Sequence, residues 1–206
     1  MIVKTVMVTK ENLKIVESNT TLEEAMKIMV DNKFLSIPVV DGDKFKGSIS
    51  KHDIYKYSFE NGCNKEETLT TVKVGQLIYS DVPVINKDEE LEKAVALLEK
   101  MRIAFVAVID DFDNFVGILT HKAVFSEFTN AFGLNKGQRI AVRAYDVPGQ
   151  ISKLSKIITE NNGDILSFVV LDTKSITQVK EIIIRIKIGN INLIKRKLKE
   201  AGFKII

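Results

Sequence analysis

Along the first 130 residues the apolar positions form one pattern, written twice. Leu22, Ala25, Met26 and Met29 recur at helical spacing; the extended run Ile37-Pro38-Val39-Val40-Asp41 and then Gly47-Ser48-Ile49-Ser50 follow. Leu91, Ala94, Val95 and Leu98 repeat the helical stripe, and Val106-Ala107-Val108-Ile109-Asp110 and Gly117-Ile118-Leu119-Thr120 repeat the rest. The copies are 69 residues apart through Asp41 and Asp110, and 70 apart at Gly47 and Gly117, so the second hairpin has one extra residue. A unit repeated in tandem buries against its copy an apolar face it cannot bury alone. The pattern therefore implies a pseudo-symmetric pair with a cleft between its halves, where a ligand would sit.

Each copy predicts a strand, a helix, a hairpin and a second helix. In the first, Lys4–Val8 is an extended lead-in and Leu13–Val16 a strand. Thr20-Thr21-Leu22-Glu23 predicts a capping box closed by Glu23, opening a helix that ends near Asn32. Leu35–Val40 is a strand in which Pro38 marks an edge or irregular position. Asp41-Gly42-Asp43 is the turn, Phe45–Ile49 the return, and Lys51–Glu60 a helix. A polar linker spans 61–71. The second copy runs through a strand at Val82–Ile85, a helix at 89–101, strands at Ile103–Ile109 and Phe115–Leu119, and a helix at Lys122–Phe132.

Beyond a glycine-bounded linker, Gly133–Gly137, the pattern changes. Arg139–Tyr145 alternates like a strand, Asp146-Val147-Pro148-Gly149 is a turn that opens a helix, and Asn162-Gly163 ends that helix. Ile165–Leu171 and Val179–Ile188 read as strands, Ile191, Ile194 and Leu198 mark a helix stopped at Gly202, and Phe203–Ile206 is a last strand. The order is βαββαβ, the ferredoxin-like arrangement, and the whole chain is α+β. Domains are expected at 1–66, 67–133 and 138–206.

Composition narrows the classes. At 45% hydrophobic, 28% charged and a net charge of +3, the 206 residues suit a soluble globular protein, not a nucleic-acid binder with clustered basic surface. Cys63 is alone, so no intrachain disulfide is possible. No apolar run has the length of a membrane span and the N-terminus lacks a signal-peptide core, so a cytoplasmic location is expected. Two histidines without carboxylates at ligand spacing give no metal site.

The doubled helix–strand–strand–helix, with P-V-V-D and G-x-x-S-x-x-D, resembles a CBS domain, and two in tandem resemble a Bateman module. The resemblance covers about residues 1 to 132. It implies a regulatory module that binds an adenine nucleotide (AMP, ADP or ATP) or an S-adenosyl compound between its halves. Ser50 and Asp53 would hold the ribose and phosphate, and Leu35, Ile37 and Pro38 would lie beside the adenine. A carboxylate is an acceptor matched to the paired hydroxyls of a ribose. Lys51 and His52, with Lys122 and His121 of the second copy, are candidate phosphate contacts. Taken alone, Ser50 and Asp53 read as a helix cap; the repeated context, which leaves a cleft at this edge, favours ligand contact. In the second copy Thr120 fills the Ser50 slot but Ala123 replaces Asp53, which predicts one good site per chain and a weaker one opposite.

Residues 138–206 resemble an ACT domain, through Asp146-Val147-Pro148-Gly149 and Gly163-Asp164-Ile165; the family often has asparagine where Asp164 stands. The resemblance implies side-by-side pairing into a homodimer and amino-acid binding near Asp146, Gly149, Gln150 and Ile151. Gly149 lets a ligand approach the backbone, and free amides at the helix start suit a carboxylate; the same turn also serves as a plain cap. Lys195-Arg196-Lys197 and Lys199 interleave with buried-spaced residues and read as a solvated helix face.

The combination is similar to the CBS–ACT proteins associated with acetoin utilisation. The expectation is a non-enzymatic sensor acting on a regulated protein in trans, with no catalytic cofactor. A structural oligomerising protein without ligand, and an enzyme with an unrecognised active site, are the alternatives.

Overall fold

The computed structural model describes residues 1–61, 65–100, 103–173 and 179–206. Cys63 and Met101 lie outside them. Two compact units form, Met1–Val124 and Phe125–Ile206.

In the first unit the elements are β1 (Val8–Thr9), α1 (Leu22–Asp31), β2 (Ser36–Asp41), β3 (Lys44–Ser50), α2 (Lys51–Glu60), α3 (Lys65–Thr71), β4 (Val84–Asn86), α4 (Leu91–Lys100), β5 (Phe105–Ile109) and β6 (Phe115–Thr120). α5 (His121–Ala131) begins in this unit and carries the division between units. The apolar stripes do what their spacing predicts: Leu22, Ala25 and Met29 of α1 and Leu91, Ala94 and Leu98 of α4 are buried. Each stripe anchors a separate core, one around Ile37, Val39 and Ile49, the other around Val106, Val108 and Leu119. A third cluster joins the halves through Val40, Phe105 and Phe115, with the Phe45 and Phe115 rings stacked at 5.4 Å.

The capping box of α1 sits one residue later than the sequence reading placed it. Thr21 is the cap, its hydroxyl accepting from Glu24 N at 3.2 Å while Glu24 Oε2 accepts from Thr21 N at 3.2 Å. Part of the 61–71 stretch, expected as a linker, is helical: α3 buries Thr68 and packs Leu69 on the first core. Leu13–Val16 forms no strand and makes a single bridge, Val16 to Val39. That bridge explains Pro38, whose carbonyl accepts from Val16 N at 3.1 Å. Nitrogen and carbonyl of one strand residue point the same way, so the missing N–H falls where pairing is one bridge long.

The lead-ins are exchanged between the copies. Residues 1–5 pack on the second half: Val3 N donates to Glu89 O at 2.9 Å, Lys4 N to Lys87 O at 2.9 Å, and Leu91 N to Met1 O at 2.9 Å. Residues 72–75 make the matching bonds on the first half: Val74 N to Thr20 O at 2.9 Å, Gly75 N to Ser18 O at 2.8 Å, and Leu22 N to Val72 O at 3.1 Å. Val3 and Val74 are each 0% exposed. The edges follow suit, with β1 on β6 and Tyr79 bridging to Ser48 of β3. Across the expected spans 1–66 and 67–133, each half-core therefore borrows its lead-in from the other span.

The second unit is β7 (Gln138–Tyr145), α6 (Gln150–Glu160), β8 (Asp164–Asp172), β9 (Val179–Lys187), α7 (Ile191–Glu200) and β10 (Lys204–Ile205), in the βαββαβ order the sequence predicts. Its sheet order is β10-β7-β9-β8, antiparallel throughout. Ile140, Val142, Ile182, Ile184 and Ile186 meet Leu154, Ile158, Ile194 and Leu198 of the helices in one core. The left-handed residue after α6 is Asn162 (φ 61°). Gly163 is needed for room, since a Cβ there would stand 2.6 Å from Ile158 Cγ2. The Gly133–Gly137 segment is no free tether. Ser167 Oγ donates to Phe132 O at 3.0 Å, and a Cβ on Gly133 would lie 2.9 Å from that Oγ.

Candidate functional site

A cleft of about 500 Å³ opens between the halves of the first unit. Its first wall is the junction of β3 and α2. There the chain reverses from strand to helix at Ser50, whose hydroxyl accepts from Asp53 N at 3.1 Å. Asp53 answers with one oxygen: Oδ2 accepts from Ser50 N at 3.1 Å and from Ser50 Oγ. This is a complete capping box. Oδ1 accepts no protein hydrogen bond among the described residues, and Asp53 lines the cleft. The cap and ligand readings of these residues are thus compatible in one side chain, because a carboxylate has acceptor sites to spare.

Lys51 and His52, in the first turn of α2, line the same wall, and Lys51 N is held by Leu35 O at 3.0 Å. That bond fixes the start of β2, so Leu35 (78% exposed) and Ser36 form the adjoining wall. Ile37 is 1% exposed in the core and Pro38 is buried, so neither lines the cleft: strand alternation and the Val16 bridge turn them inward. The opposite wall comes from the second copy, through Tyr79, Val82 and Ile103–Phe105. Sequence reasoning missed Tyr79 and Val82, whose stretch carries no periodicity. The repeat register offered the one usable signal, since Tyr79 meets Ser48 where Val8 meets Ile118.

The second copy carries half of the same device. Thr120 Oγ1 accepts from Ala123 N at 3.1 Å, but Ala123 returns nothing. His121 and Lys122 are exposed on the first turn of α5; neither they nor Thr120 line the cleft beside Asp53. The two hairpin-turn acids also differ. Asp41 accepts from Ser18 N at 2.8 Å and Ser18 Oγ at 2.7 Å, and these bonds hold its carboxyl below the usual range. Asp110 instead closes its own turn, accepting from Phe112 N and Asn114 N at 2.9 Å each.

In the second unit, Asp146, Gly149, Gln150 and Ile151 come together around a cavity of about 390 Å³, completed by Val170, Lys180 and Ile182. Gly149 caps α6 at φ 87° with no side-chain cap. Asp146 is 3.4 Å from Lys180, which also reaches Asp172 at 3.4 Å; the hydrogen bond to Asp146, then its charge, raises the lysine's pKa. On α7, Ile194 and Leu198 are buried, and Arg196 and Lys197 lie 3.8 and 3.7 Å from Glu200, as in a solvated face. Among the described residues no helix is long and apolar enough to cross a membrane.

Comparison with known proteins bears on the first unit. A family model described as the CBS domain matches residues 3–60 and 74–130. The chain is 32% identical over 120 residues to an uncharacterised protein of Methanocaldococcus jannaschii, covering 58% of this chain and 38% of that one. It is 27% identical over 137 residues to the chloroplastic CBS domain-containing protein CBSX1 of Arabidopsis thaliana, covering 55% of this chain and 58% of that one. It therefore spans less than two thirds of these relatives. Among solved structures, CBSX2 in complex with AMP aligns with a TM-score of 0.53 at 27% identity, over 62% of this chain and 95% of that one.

Proposed function

We propose, since the chain belongs to the CBS domain family, that its first unit is a regulatory sensor that binds an adenine nucleotide in the cleft between its two CBS copies. The observation that carries this reading is Asp53: it lines a cleft walled by both copies and completes a helix cap with one oxygen, while the other accepts no protein hydrogen bond among the described residues. Ser50 and the carboxylate suit a ribose, and Lys51 and His52 suit a phosphate. Leu35 and Tyr79 offer apolar surface to a base. AMP in CBSX2 supports the ligand class. The second unit, read as an ACT domain, binds an amino acid beside Asp146 and Gly149 and pairs with a second copy along β8, where Leu166, Val170 and Leu171 are exposed on an edge strand. The sensor acts on a separate protein and performs no reaction itself.

Titration calorimetry of the full chain with AMP, ADP, ATP and S-adenosylmethionine tests the central claim. One adenylate should bind saturably, and Asp53→Ala should weaken it about tenfold or more, on the scale of roughly 1.5–3 kcal/mol for a hydrogen bond to a charged group. Unchanged affinity in Asp53→Ala, or no saturable binding by any of the four, defeats the reading.

A further inference from the structure

We infer that the second unit holds a separate site for a phosphate monoester, in a cavity of about 550 Å³ that shares only Ala144, Tyr145 and Gln150 with the one at the D-V-P-G turn. Its floor is the pairing of β10 with β7, which sets Lys204 directly opposite Arg143. Side chains so placed stand about 5 Å apart at Cβ on one face, and like charges there repel. Nearby acids relieve them only in part: Glu181 Oε2 stands 3.9 Å from Arg143 Nε, at the outer limit of an ion pair, and Arg143 makes no other ion pair among the described residues. Lys204 has no ion-pair partner among the described residues. Asp146 and Asp172 are engaged by Lys180, and Lys153 donates to Ala201 O at 2.6 Å, covering the carbonyl end of α7. Residues 125–206 carry 14 Lys and Arg against 7 Asp and Glu, so the surroundings add to the positive field.

The charge requirement selects the ligand. A carboxylate brings one negative charge to two cations, whereas a phosphate monoester brings close to two, on three acceptor oxygens in one head group. The guanidinium fork takes two oxygens and the ammonium the third. The cavity exceeds a phosphate, and Tyr145 and Val179 leave an apolar wall for the esterified group.

Amide chemical-shift titration of the full chain with phenyl phosphate, inorganic phosphate and benzoate tests the assignment. Phenyl phosphate should saturate shifts at Arg143, Tyr145, Gly202 and Lys204. Benzoate and inorganic phosphate should each bind about tenfold more weakly. Arg143→Gln and Lys204→Gln, both at solvent-exposed positions, should each lower phenyl phosphate affinity about tenfold, while Lys156→Gln, exposed on α6 outside the cavity, leaves it unchanged. The assignment is overturned by shifts that do not localise, by equal affinity in both glutamine variants, or by benzoate or inorganic phosphate binding as tightly as the monoester.

Discussion

Gly47→Ala tests the exchange of lead-ins more directly than any core truncation. Gly47 has φ 145°, and a Cβ built there would fall inside contact distance of Tyr79 O and 2.6 Å from Ile78 Cγ2. The obstacle is backbone, so it yields only if the strand at Tyr79 moves away. That movement breaks the reciprocal bonds Ser48 N to Tyr79 O (3.0 Å) and Tyr79 N to Ser48 O (2.8 Å), about 1 kcal/mol each. Holding alanine in this backbone region adds roughly 1–3 kcal/mol. The expected loss is therefore about 3–5 kcal/mol. Gly42→Ala is the control: φ is 60° but nothing lies within 4 Å of the new Cβ, so about 1–2 kcal/mol of backbone strain is the whole effect. Urea unfolding followed by far-ultraviolet circular dichroism gives the two losses, and amide hydrogen exchange locates them. The Tyr79 and Ser48 amides should lose protection in Gly47→Ala and keep it in Gly42→Ala. Because Tyr79 also walls the cleft, nucleotide affinity should fall in the first variant alone. Equal destabilisation by the two variants, with Tyr79 protection intact, would refute the exchanged packing.

Ala123→Asp should complete the half capping box at Thr120 and raise stability by about 0.5–1 kcal/mol, read as a higher urea midpoint at unchanged slope. The same variant should strengthen a second, weaker nucleotide-binding event if one is present in calorimetry. Asp41 has a depressed pKa in the folded state, so its stabilisation is in full force above the ordinary carboxylate range and is lost as pH falls through the lowered value. Asp41→Asn should accordingly lower stability at neutral pH and flatten the acid limb of the stability–pH curve; an unchanged limb would place the acid sensitivity elsewhere.

The sequence made the repeat visible because burial imposes a period, and Leu22, Ala25 and Met29 have no other way to share a face. The same logic found the βαββαβ order, where isoleucines alternate along β9. Elements without a period escaped. Residues 1–5 and 72–75 adopt tight turns whose conformation is set by the chain they pack on, so their exchange left no local mark. The Thr20-Thr21 and Glu23-Glu24 doublets allow two registers for a capping box, and only packing of Leu22 decides between them. α3 was hidden because Thr68, polar in isolation, is buried. Gly133 and Gly137 looked like a tether because glycine signals both freedom and lack of room, and here Ser167 and Leu166 occupy the space. At the cleft, Ser50 and Asp53 were legible as a motif, whereas Tyr79 and Val82 were not, since they reach the site through the other copy.

The cluster shared between the halves limits how a ligand could act on the first unit. The six lead-in bonds each lie within one half-core and survive separation, but pulling the halves apart would uncover Val40 and Phe45 on one side and Phe105 and Phe115 on the other. At about 1.5 kcal/mol or more for each large apolar side chain, these alone amount to roughly 6 kcal/mol. That sum approaches the whole stability of a typical domain, and a state so costly is populated at about one part in ten thousand or less. A clamshell that opens and shuts is therefore excluded as the responding motion. What remains is a ligand that discriminates between two closely similar arrangements of the cleft walls, shifting them by its difference in affinity and nothing more. The walls able to differ are those with fewest ties: the first turn of α2, held through the Lys51–Leu35 bond and the Asp53 box, and the single bridge at Tyr79. Both lie on the cleft, and one of them carries Asp53, whose Oδ1 accepts no protein hydrogen bond among the described residues. Sensing and moving parts are thus the same few residues, which is why Asp53 should govern affinity and response together.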